Sequence, residues 1–191
     1  MYVVKPREII LKVTQQFAGY VWYGASYILI VPYLIVRLSE GLDYLIFQIL
    51  GFSSQENFFS FVPFTILSLI AFVVIAFGFL IILESTVSIA TESKGFAFSV
   101  SPHYHVNPQK LATAGWYARV RHPMTLGYLI ILMGLGIYLQ SISMIVWFVP
   151  LFGGLYLEYL LMVEEKQLHR WFGSAYEEYQ KKVPALIPRI L

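Results

Sequence analysis

Two short polar segments hold the residues best suited to chemistry, and a long apolar stretch separates them. The first is Arg121-His122-Pro123 and the second is Glu164-Glu165. Proline favours the first turn of a helix, so a helix is expected to start at Pro123. The free N–H groups at a helix start attract an anion, and the neighbouring arginine and histidine would strengthen that attraction. If the apolar stretch folds into a helical hairpin, the two carboxylates return to the Arg-His pair. This pattern predicts a polar pocket at a membrane surface, although a salt bridge that only closes the hairpin, or basic residues that only anchor the surface, would use the same residue types.

Glu158 lies inside the apolar stretch rather than at its end. A carboxylate within a membrane helix costs free energy and therefore marks a candidate functional residue. Glu158 and Glu165 are seven positions apart, which places them on one face of a regular helix. We therefore treat both as candidate catalytic carboxylates. The alternative is that Glu158 reaches the membrane surface or pairs with the backbone.

The sequence lacks the metal and nucleotide signatures of soluble enzymes. It contains no cysteine, which excludes disulfides, thiolate metal sites and a thiol nucleophile. His103 and His105, even together with His122 and His169, do not have the spacing of a helix-borne metal motif, so no metal site is predicted. The sequence also has no glycine-rich phosphate loop and no G-x-S-x-G motif.

The elements that must position these residues are membrane helices. Hydrophobic residues make up 58% of the chain and charged residues 13%, whereas a soluble domain is about a quarter charged. Uncharged runs as long as a membrane helix predict an all-α polytopic bundle, a single membrane domain over 1–191. The predicted elements are spans at 15–36, 61–83, 124–139 and 143–163, a cytoplasmic loop 84–122 and a cytoplasmic tail 164–191. The apolar segment Leu42–Phe52 is too short to cross, and an interfacial or re-entrant piece is expected there.

The distribution of charge supports this layout. With the N-terminus in the cytoplasm, four spans place every lysine and arginine except Arg37 on the cytoplasmic side, in agreement with the positive-inside rule. Both termini are therefore expected in the cytoplasm, at the plasma membrane of a prokaryote or the endoplasmic reticulum of a eukaryote. Apolar residues at helical spacing from Leu168 to Tyr179 predict an amphipathic helix in the tail, which Pro184 and Pro188 end. Small residues predict close packing of the last two spans: Gly127, Gly134, Gly136, Gly153 and Gly154.

Both polar segments extend into longer motifs that resemble a known family. Residues 111–124 read L-A-T-A-G-W-Y-A-R-V-R-H-P-M and resemble the L-V-x-x-G-x-Y-x-x-x-R-H-P-x-Y loop of isoprenylcysteine carboxyl methyltransferases and related phospholipid methyltransferases. Residues 164–188 resemble the tail of the same family, E-E-x-x-L-x-x-x-F-G-x-x-Y-x-x-Y-x-x-x-V-P-x-x-I-P. The two motifs occur in the family's order around an apolar hairpin. The rest of the chain resembles the family only in having membrane spans.

The resemblance implies a membrane-embedded methyltransferase that uses S-adenosylmethionine as its methyl donor. It also implies a lipophilic or lipid-anchored acceptor, prenylated or a phospholipid, that enters from the bilayer; no nucleic acid partner is expected. Carried over to this sequence, the family's cofactor site consists of Leu111, Gly115, Tyr117, Arg121, His122, Pro123, Glu164 and Glu165. The carboxylate of the cofactor suits the anion site, and its ammonium and ribose hydroxyl groups suit the glutamates.

Two departures from the family's pattern bear on the acceptor. The family has tyrosine where this chain has Thr125, and it often has an arginine one turn before the Glu-Glu pair, where residues 160–163 are Leu-Leu-Met-Val. That arginine would suit a carboxylate acceptor, so its absence weakens the case for carboxyl methylation and leaves an amine, thiol or phenol acceptor open. Two other functions also stay open: an NADPH-dependent membrane reductase of related architecture, and a non-catalytic membrane subunit that kept the fold.

Overall fold

A computed structural model describes residues 24–51, 62–93 and 110–188. Within these ranges the chain forms helices and turns and no strand, which confirms the all-α prediction. The elements are the π-helical turn Ser26–Ile30 leading into α1 (Val31–Ile49), α2 (Phe64–Ser88) followed by the π-turn Ile89–Ser93, the 3-10 turn Gly115–Ala118, α3 (Pro123–Tyr138), the π-turn Met144–Phe148, α4 (Val149–Tyr159), the π-turn Leu160–Glu164, α5 (Glu165–Phe172) and α6 (Ser174–Lys182).

Two of the described helices are long and apolar enough to cross a membrane. They are Phe64–Glu92, and Met144–Phe172, which runs through α4 and α5. Only 17% and 22% of their most apolar stretches are buried inside the protein, so most of their apolar side chains face outward. Exposed helices that are apolar all round are typical of a lipid environment. The fold is therefore that of a helical membrane protein, while the number of four spans is a proposal taken up below.

Glycines bring α2 and α3 into close contact. A Cβ atom on Gly127 would lie 2.6 Å from the carbonyl oxygen of Gly78, and one on Gly134 would lie 2.6 Å from a side chain of α2. Small residues allow membrane helices to approach in this way. The glycines predicted to pack the last two spans therefore serve two contacts, because Gly127 and Gly134 face α2 whereas Gly153 faces Leu129 across the hairpin.

The helix at the first predicted span is longer than that span. A single helical run continues through α1 to Ile49, so the chain is helical beyond the predicted end of the span 15–36 and through the described part of Leu42–Phe52. The part of that span before Gly24, and Phe52 itself, lie outside the described residues.

The charged residues of α1 have ionic or hydrogen-bond partners within the protein. Arg37 and Glu40 form an ion pair of 3.0 Å on its exposed side. Asp43 is buried and accepts hydrogen bonds from the hydroxyl of Ser141 and, at 2.8 Å, from the N–H of Ser143. These two serines follow α3 directly, so α1 is anchored to the turn of the hairpin.

The first part of the predicted loop 84–122 is helical. α2 and its π-turn carry the helix to Ser93, and residues 94–109 lie outside the described residues. Polar residues do not end this helix because the hydroxyls of Ser85 and Thr86 donate to backbone carbonyls four residues earlier. The helix therefore extends beyond the apolar stretch from which the span was predicted.

The tail also differs from its prediction. The helix of the last span does not end at 163 but continues through α5 to Phe172, and the predicted single amphipathic helix is divided into α5 and α6. The break lies at Gly173, whose φ of +52° is in the left-handed region. Beyond it Tyr176 and Tyr179 are buried against Val183, which packs the tail against the rest of the protein.

Candidate functional site

The site forms where the start of α3 meets the start of α5 and the tail. Arg121 Nε donates to Glu165 Oε1 at 2.8 Å, and Arg121 Nη2 lies 2.7 Å from the same oxygen. His122 Nε2 lies 3.2 Å from that oxygen as well. The side chains of Arg121 and Glu165 are 9% and 4% exposed, so the ion pair is almost cut off from solvent. The hairpin therefore brings together the Arg-His pair and a glutamate that are far apart in the sequence.

Backbone contacts tie the tail to the same loop. The N–H of Arg121 donates to the carbonyl of Pro184 at 2.9 Å, and the N–H of His122 donates to the carbonyl of Ala185 at 3.0 Å. Arg121 Nη1 also donates to the carbonyl of Val183 at 2.7 Å. We call these contacts, together with the Arg121–Glu165 ion pair, the tail clasp. The tail is therefore part of the site rather than an appendage to it.

Glu165 has hydrogen-bond partners on both of its oxygens. Gln180 Nε2 donates to Oε2 at 2.8 Å, and Gln180 Oε1 lies 3.0 Å from His169 Nε2. Burial by itself would raise the pKa of Glu165, but the hydrogen bonds from His122 and Arg121 and the positive charge beside it outweigh burial and hold that pKa below its usual range. Glu165 is therefore an ionised, fully engaged carboxylate at neutral pH.

Glu164 has a different environment from its neighbour, although both follow the predicted span. Its side chain is 51% exposed, and its Oε2 lies 3.9 Å from His122 Nδ1. Burial nevertheless raises the pKa of Glu164 above its usual value, with the charge of Glu165 adding to the effect and His122 opposing it. Glu164 is thus the glutamate of the pair that a ligand can reach.

Glu158 and Glu165 do not share a helix face as predicted. Glu158 is exposed and Glu165 is buried. Between them lies the π-turn Leu160–Glu164, whose hydrogen bonds span one residue more than those of an α-helix. This wider turn rotates the residues that follow it. The prediction assumed a regular helix, and the structure corrects it.

The 3-10 turn Gly115–Ala118 forms another wall beside these groups. The hydroxyl of Tyr179 donates to the carbonyl of Tyr117 at 2.6 Å, and Leu111 packs against the buried cluster of the tail. Burial, and the nearby charge of Glu164, raise the pKa of Tyr117, so this phenol stays protonated at neutral pH. The predicted cofactor residues of the loop are therefore held next to Glu164 by the tail.

The helical extension of α2 packs against the other side of this loop. Gly115 has a φ of +58°, and a Cβ there would lie 2.8 Å from Glu84 Oε1 and 3.3 Å from Ser88 Oγ. The N–H of Thr113 donates to Glu92 Oε2 at 3.3 Å. Sequence reasoning assigned no role to Glu84 because the apolar pattern ends there, and nothing in that pattern indicates that the helix continues.

Three further observations complete the site. Pro123 is buried at the start of α3, as predicted. Gln180 and His169 join the hydrogen bonds of the clasp, and no spacing in the sequence indicated this. Among the described residues no three His, Cys, Asp or Glu side chains gather as metal ligands, and His103 and His105 lie outside those residues.

The chain is similar to known methyltransferases. A family model described as phospholipid methyltransferase matches residues 66–175, which is more than half of the chain and includes both glutamates of the Glu164-Glu165 pair. Over 127 residues the chain is 33% identical to the protein-S-isoprenylcysteine O-methyltransferase of Schizosaccharomyces pombe. The matched part covers 60% of this chain and 49% of that protein, so the chain spans about half the length of this relative.

Proposed function

Because the chain belongs to the phospholipid methyltransferase family, we propose that it transfers a methyl group from S-adenosylmethionine to a lipophilic or lipid-anchored acceptor in the membrane. The fission yeast relative is named for action on a protein isoprenylcysteine, which is a lipid-bearing group. The exposed apolar surface of the long helices supports entry of such an acceptor from the bilayer. In this respect the chain would act as isoprenylcysteine carboxyl methyltransferases do.

The observation that carries this proposal is the placement of Glu164. This carboxylate is half exposed beside His122 and directly follows the helical run of α4, and the tail clasp holds the loop next to it. An accessible carboxylate beside a lipid-facing helix suits a reaction between a charged, water-soluble donor and an acceptor anchored in the membrane.

The residues around Glu164 fit the charges of the donor. Glu164 supplies the negative charge that suits an ammonium group, and the helix start at Pro123 leaves backbone N–H groups that suit a carboxylate. Each nitrogen of the Arg121 guanidinium is already engaged, by Glu165 or by carbonyls of the tail. We therefore assign Arg121 and Glu165 to holding the loop instead of the donor. The other residues proposed to line the donor site are Leu111, Gly115, Tyr117 and His122.

S-adenosylmethionine supplies, when bound, a methyl group on a sulfonium that needs no further activation. The protein then has to align the acceptor with that methyl group and exclude water. Glu158, on the exposed side of α4, is proposed to contact the acceptor. Glu165, first considered as catalytic, is proposed as a positioning residue.

We also propose four spans with both termini in the cytoplasm, so that the loop 110–122 and the tail meet on that side of the membrane. The absence of native cysteine allows this topology to be tested with single cysteines and a membrane-impermeant thiol reagent. In sealed vesicles of inverted orientation, Ser174→Cys should be labelled and Gly41→Cys should be protected. Labelling of both from the same side would refute the proposed topology.

The proposed reaction is tested first by binding of S-adenosylhomocysteine to the purified protein in detergent, beside NADPH. A ligand that binds the native state raises the melting temperature, and we expect this with the nucleoside alone. Glu164→Gln should weaken the effect, whereas Glu177→Gln, which changes an exposed glutamate of α6, should not. Transfer of a labelled methyl group to a membrane lipid extract would then identify the acceptor.

The same experiment separates the other two functions. Stabilisation by NADPH and not by S-adenosylhomocysteine would replace the proposal with a reductase. If neither ligand stabilised a protein shown to be folded, a non-catalytic membrane subunit would be the better description.

A further inference from the structure

One face of α1 carries polar side chains that point away from the rest of the protein. They recur every three or four residues along the helix, so they form a single row on its surface. All of them are exposed. We call this row the α1 stripe, and it consists of Tyr33, Arg37, Glu40, Tyr44 and Gln48.

The polar contacts of the α1 stripe stay within the stripe. Arg37 Nη1 donates to Glu40 Oε2 at 3.0 Å, and the same guanidinium lies 5.5 Å from the centre of the Tyr33 ring. Gln48 Nε2 donates to the hydroxyl of Tyr44 at 2.8 Å. Within the described parts of the chain, no hydrogen bond or ion pair joins these side chains to another helix. The stripe therefore does not hold α1 in the fold.

The α1 stripe lies at the level of the apolar hairpin formed by α3 and α4. Ile35 packs into the core of this hairpin, and Asp43 contacts its turn. Arg37 and Glu40 lie between these two positions on α1. The residues that the hairpin exposes at this level are apolar, namely Val146, Trp147 and Leu151. In a single chain the ion pair would thus face lipid, where charged side chains are costly and rarely found.

We propose that the α1 stripe is a contact surface between two copies of this chain. Two copies with the same topology form a closed pair about a twofold axis along the membrane normal, so equivalent residues lie at the same depth. The stripe is complementary to itself in this arrangement. Arg37 of one copy lies one helical turn from Glu40 of the second copy, and the reverse pair forms as well. The charges then face each other instead of lipid.

A second row on α1 supplies the apolar part of the contact. Its members are exposed on the adjoining face of the helix, at the same spacing: Leu34, Leu38, Gly41, Leu45 and Ile49. Glycine inside a helix is unfavourable, and a Cβ on Gly41 would meet no atom of its own chain within 4 Å. Packing inside one chain therefore does not require this glycine. A small residue in the middle of the row allows a second membrane helix to approach closely.

The absence of native cysteine allows the contact to be tested by cross-linking in native membranes. Leu34→Cys places a thiol on the apolar row, and we expect oxidation with copper phenanthroline to link two copies through a disulfide. Val73→Cys is the matched control, because Val73 is an exposed apolar residue of α2 outside the proposed contact. The linked fraction should be at least about tenfold higher for Leu34→Cys, since the contact holds only its own thiols together.

Charge variants in the Leu34→Cys background test the pairing of the two copies. Arg37→Glu leaves only acidic charges on the stripe, and Glu40→Arg leaves only basic ones. Each should lose at least about tenfold of its linked fraction, because like charges repel across a contact. The two variants produced together, with tags of different length, should form the mixed product. The double change in one chain should also recover cross-linking, because it restores one charge of each sign.

Each outcome supports the proposal or overturns it. Recovery in the mixed pair supports it and shows that both variants fold. Equal cross-linking of Leu34→Cys and Val73→Cys, or none at either position, overturns it. Charge variants that cross-link as well as their parent, or a mixed pair that does not recover, overturn it too, as does a link from Leu34→Cys to a different protein.

This inference rests on the proposed membrane spans and not on the proposed reaction. The α1 stripe lies near the turn of the hairpin, whereas the tail clasp lies at the hairpin's other end. The charge variants should therefore leave binding of S-adenosylhomocysteine unchanged, and failure of the pairing would leave the proposed methyl transfer standing.

Discussion

The tail clasp makes a quantitative prediction for Glu165→Gln. The substitution keeps the shape of the side chain and one acceptor oxygen, but it removes the charge that Arg121 pairs with at 2.7 Å. Both partners are more than nine-tenths buried, so solvent screens the pair very little. Removing one partner of a buried ion pair costs about 3–5 kcal/mol, and the retained acceptor argues for the lower end. A loss of about 3 kcal/mol corresponds to about a 100-fold shift in the equilibrium between docked and undocked tail.

Hydrogen exchange measures this shift directly. The amides of Arg121 and His122 donate to the carbonyls of Pro184 and Ala185, so they are protected only while the tail is docked. We expect exchange at these two amides to accelerate about 100-fold in Glu165→Gln, with the helices of the hairpin unchanged. Exchange within about twofold of the wild-type rate would refute the reasoning.

Two further mutational experiments serve as controls for the tail clasp. Glu40→Gln breaks an ion pair whose partners are 62% and 52% exposed, and no measurable change is expected because exposed pairs contribute little. A cycle of Arg121→Gln and Glu165→Gln should show strong coupling, because either change leaves the other charge buried without its partner. Additive effects would mean that the two residues act on the tail separately.

The buried contacts of the site and the hairpin lead to three more predictions. Glu165 has a lowered pKa in the folded protein. Its contribution to stability is therefore complete above the ordinary glutamate pKa, about 4.3, and is lost as the pH falls through the folded-state pKa. As the pH is lowered, the melting temperature should fall more steeply for the wild type than for Glu165→Gln. Asp43→Ala removes the buried acceptor of the hairpin turn and should lower stability by about 2 kcal/mol, measured by denaturant unfolding in micelles; an unchanged unfolding curve would contradict the anchoring of α1. Gly127→Ala places a Cβ 2.6 Å from the Gly78 carbonyl and should cost about 1–3 kcal/mol by overpacking, whereas Gly154→Ala, with no atom within 4 Å, should be neutral.

The pairing of the loop with the Glu-Glu segment was predictable because it depends on simple geometry. Two antiparallel helices joined by a tight turn return the chain to the side of the membrane from which it started, so residues before one helix and after the other must meet. Arg121 and Glu165 are therefore neighbours whatever the details of packing. The turn itself was visible in Gln140 and Ser141, because polar residues interrupt the apolar run there.

Other parts of the site could not be predicted from apolar patterns. The span around 61–83 was bounded by Glu84, but a charge ends the apolar run without ending the helix, and the structure carries the helix to Ser93. Glu84 therefore lies on a helix face beside Gly115. Gln180 is one polar residue among several in the tail sequence, and only the docking of the tail brings it to its partner, Glu165.

The Glu164-Glu165 motif shows most clearly where the sequence stops being informative. Adjacent residues on a helix point about 100° apart, so two consecutive glutamates must meet different surroundings, yet the motif does not say which one faces inward. The π-turn Leu160–Glu164 decides this, because it rotates the helix just before the pair and leaves Glu165 buried against Arg121 while Glu164 stays half exposed. The two Glu→Gln variants should therefore have different effects. Glu165→Gln should release the tail, whereas Glu164→Gln should keep the Arg121 amide protected from hydrogen exchange and weaken the affinity for S-adenosylhomocysteine. The reverse pattern would show that Glu165 is the carboxylate that faces the ligand.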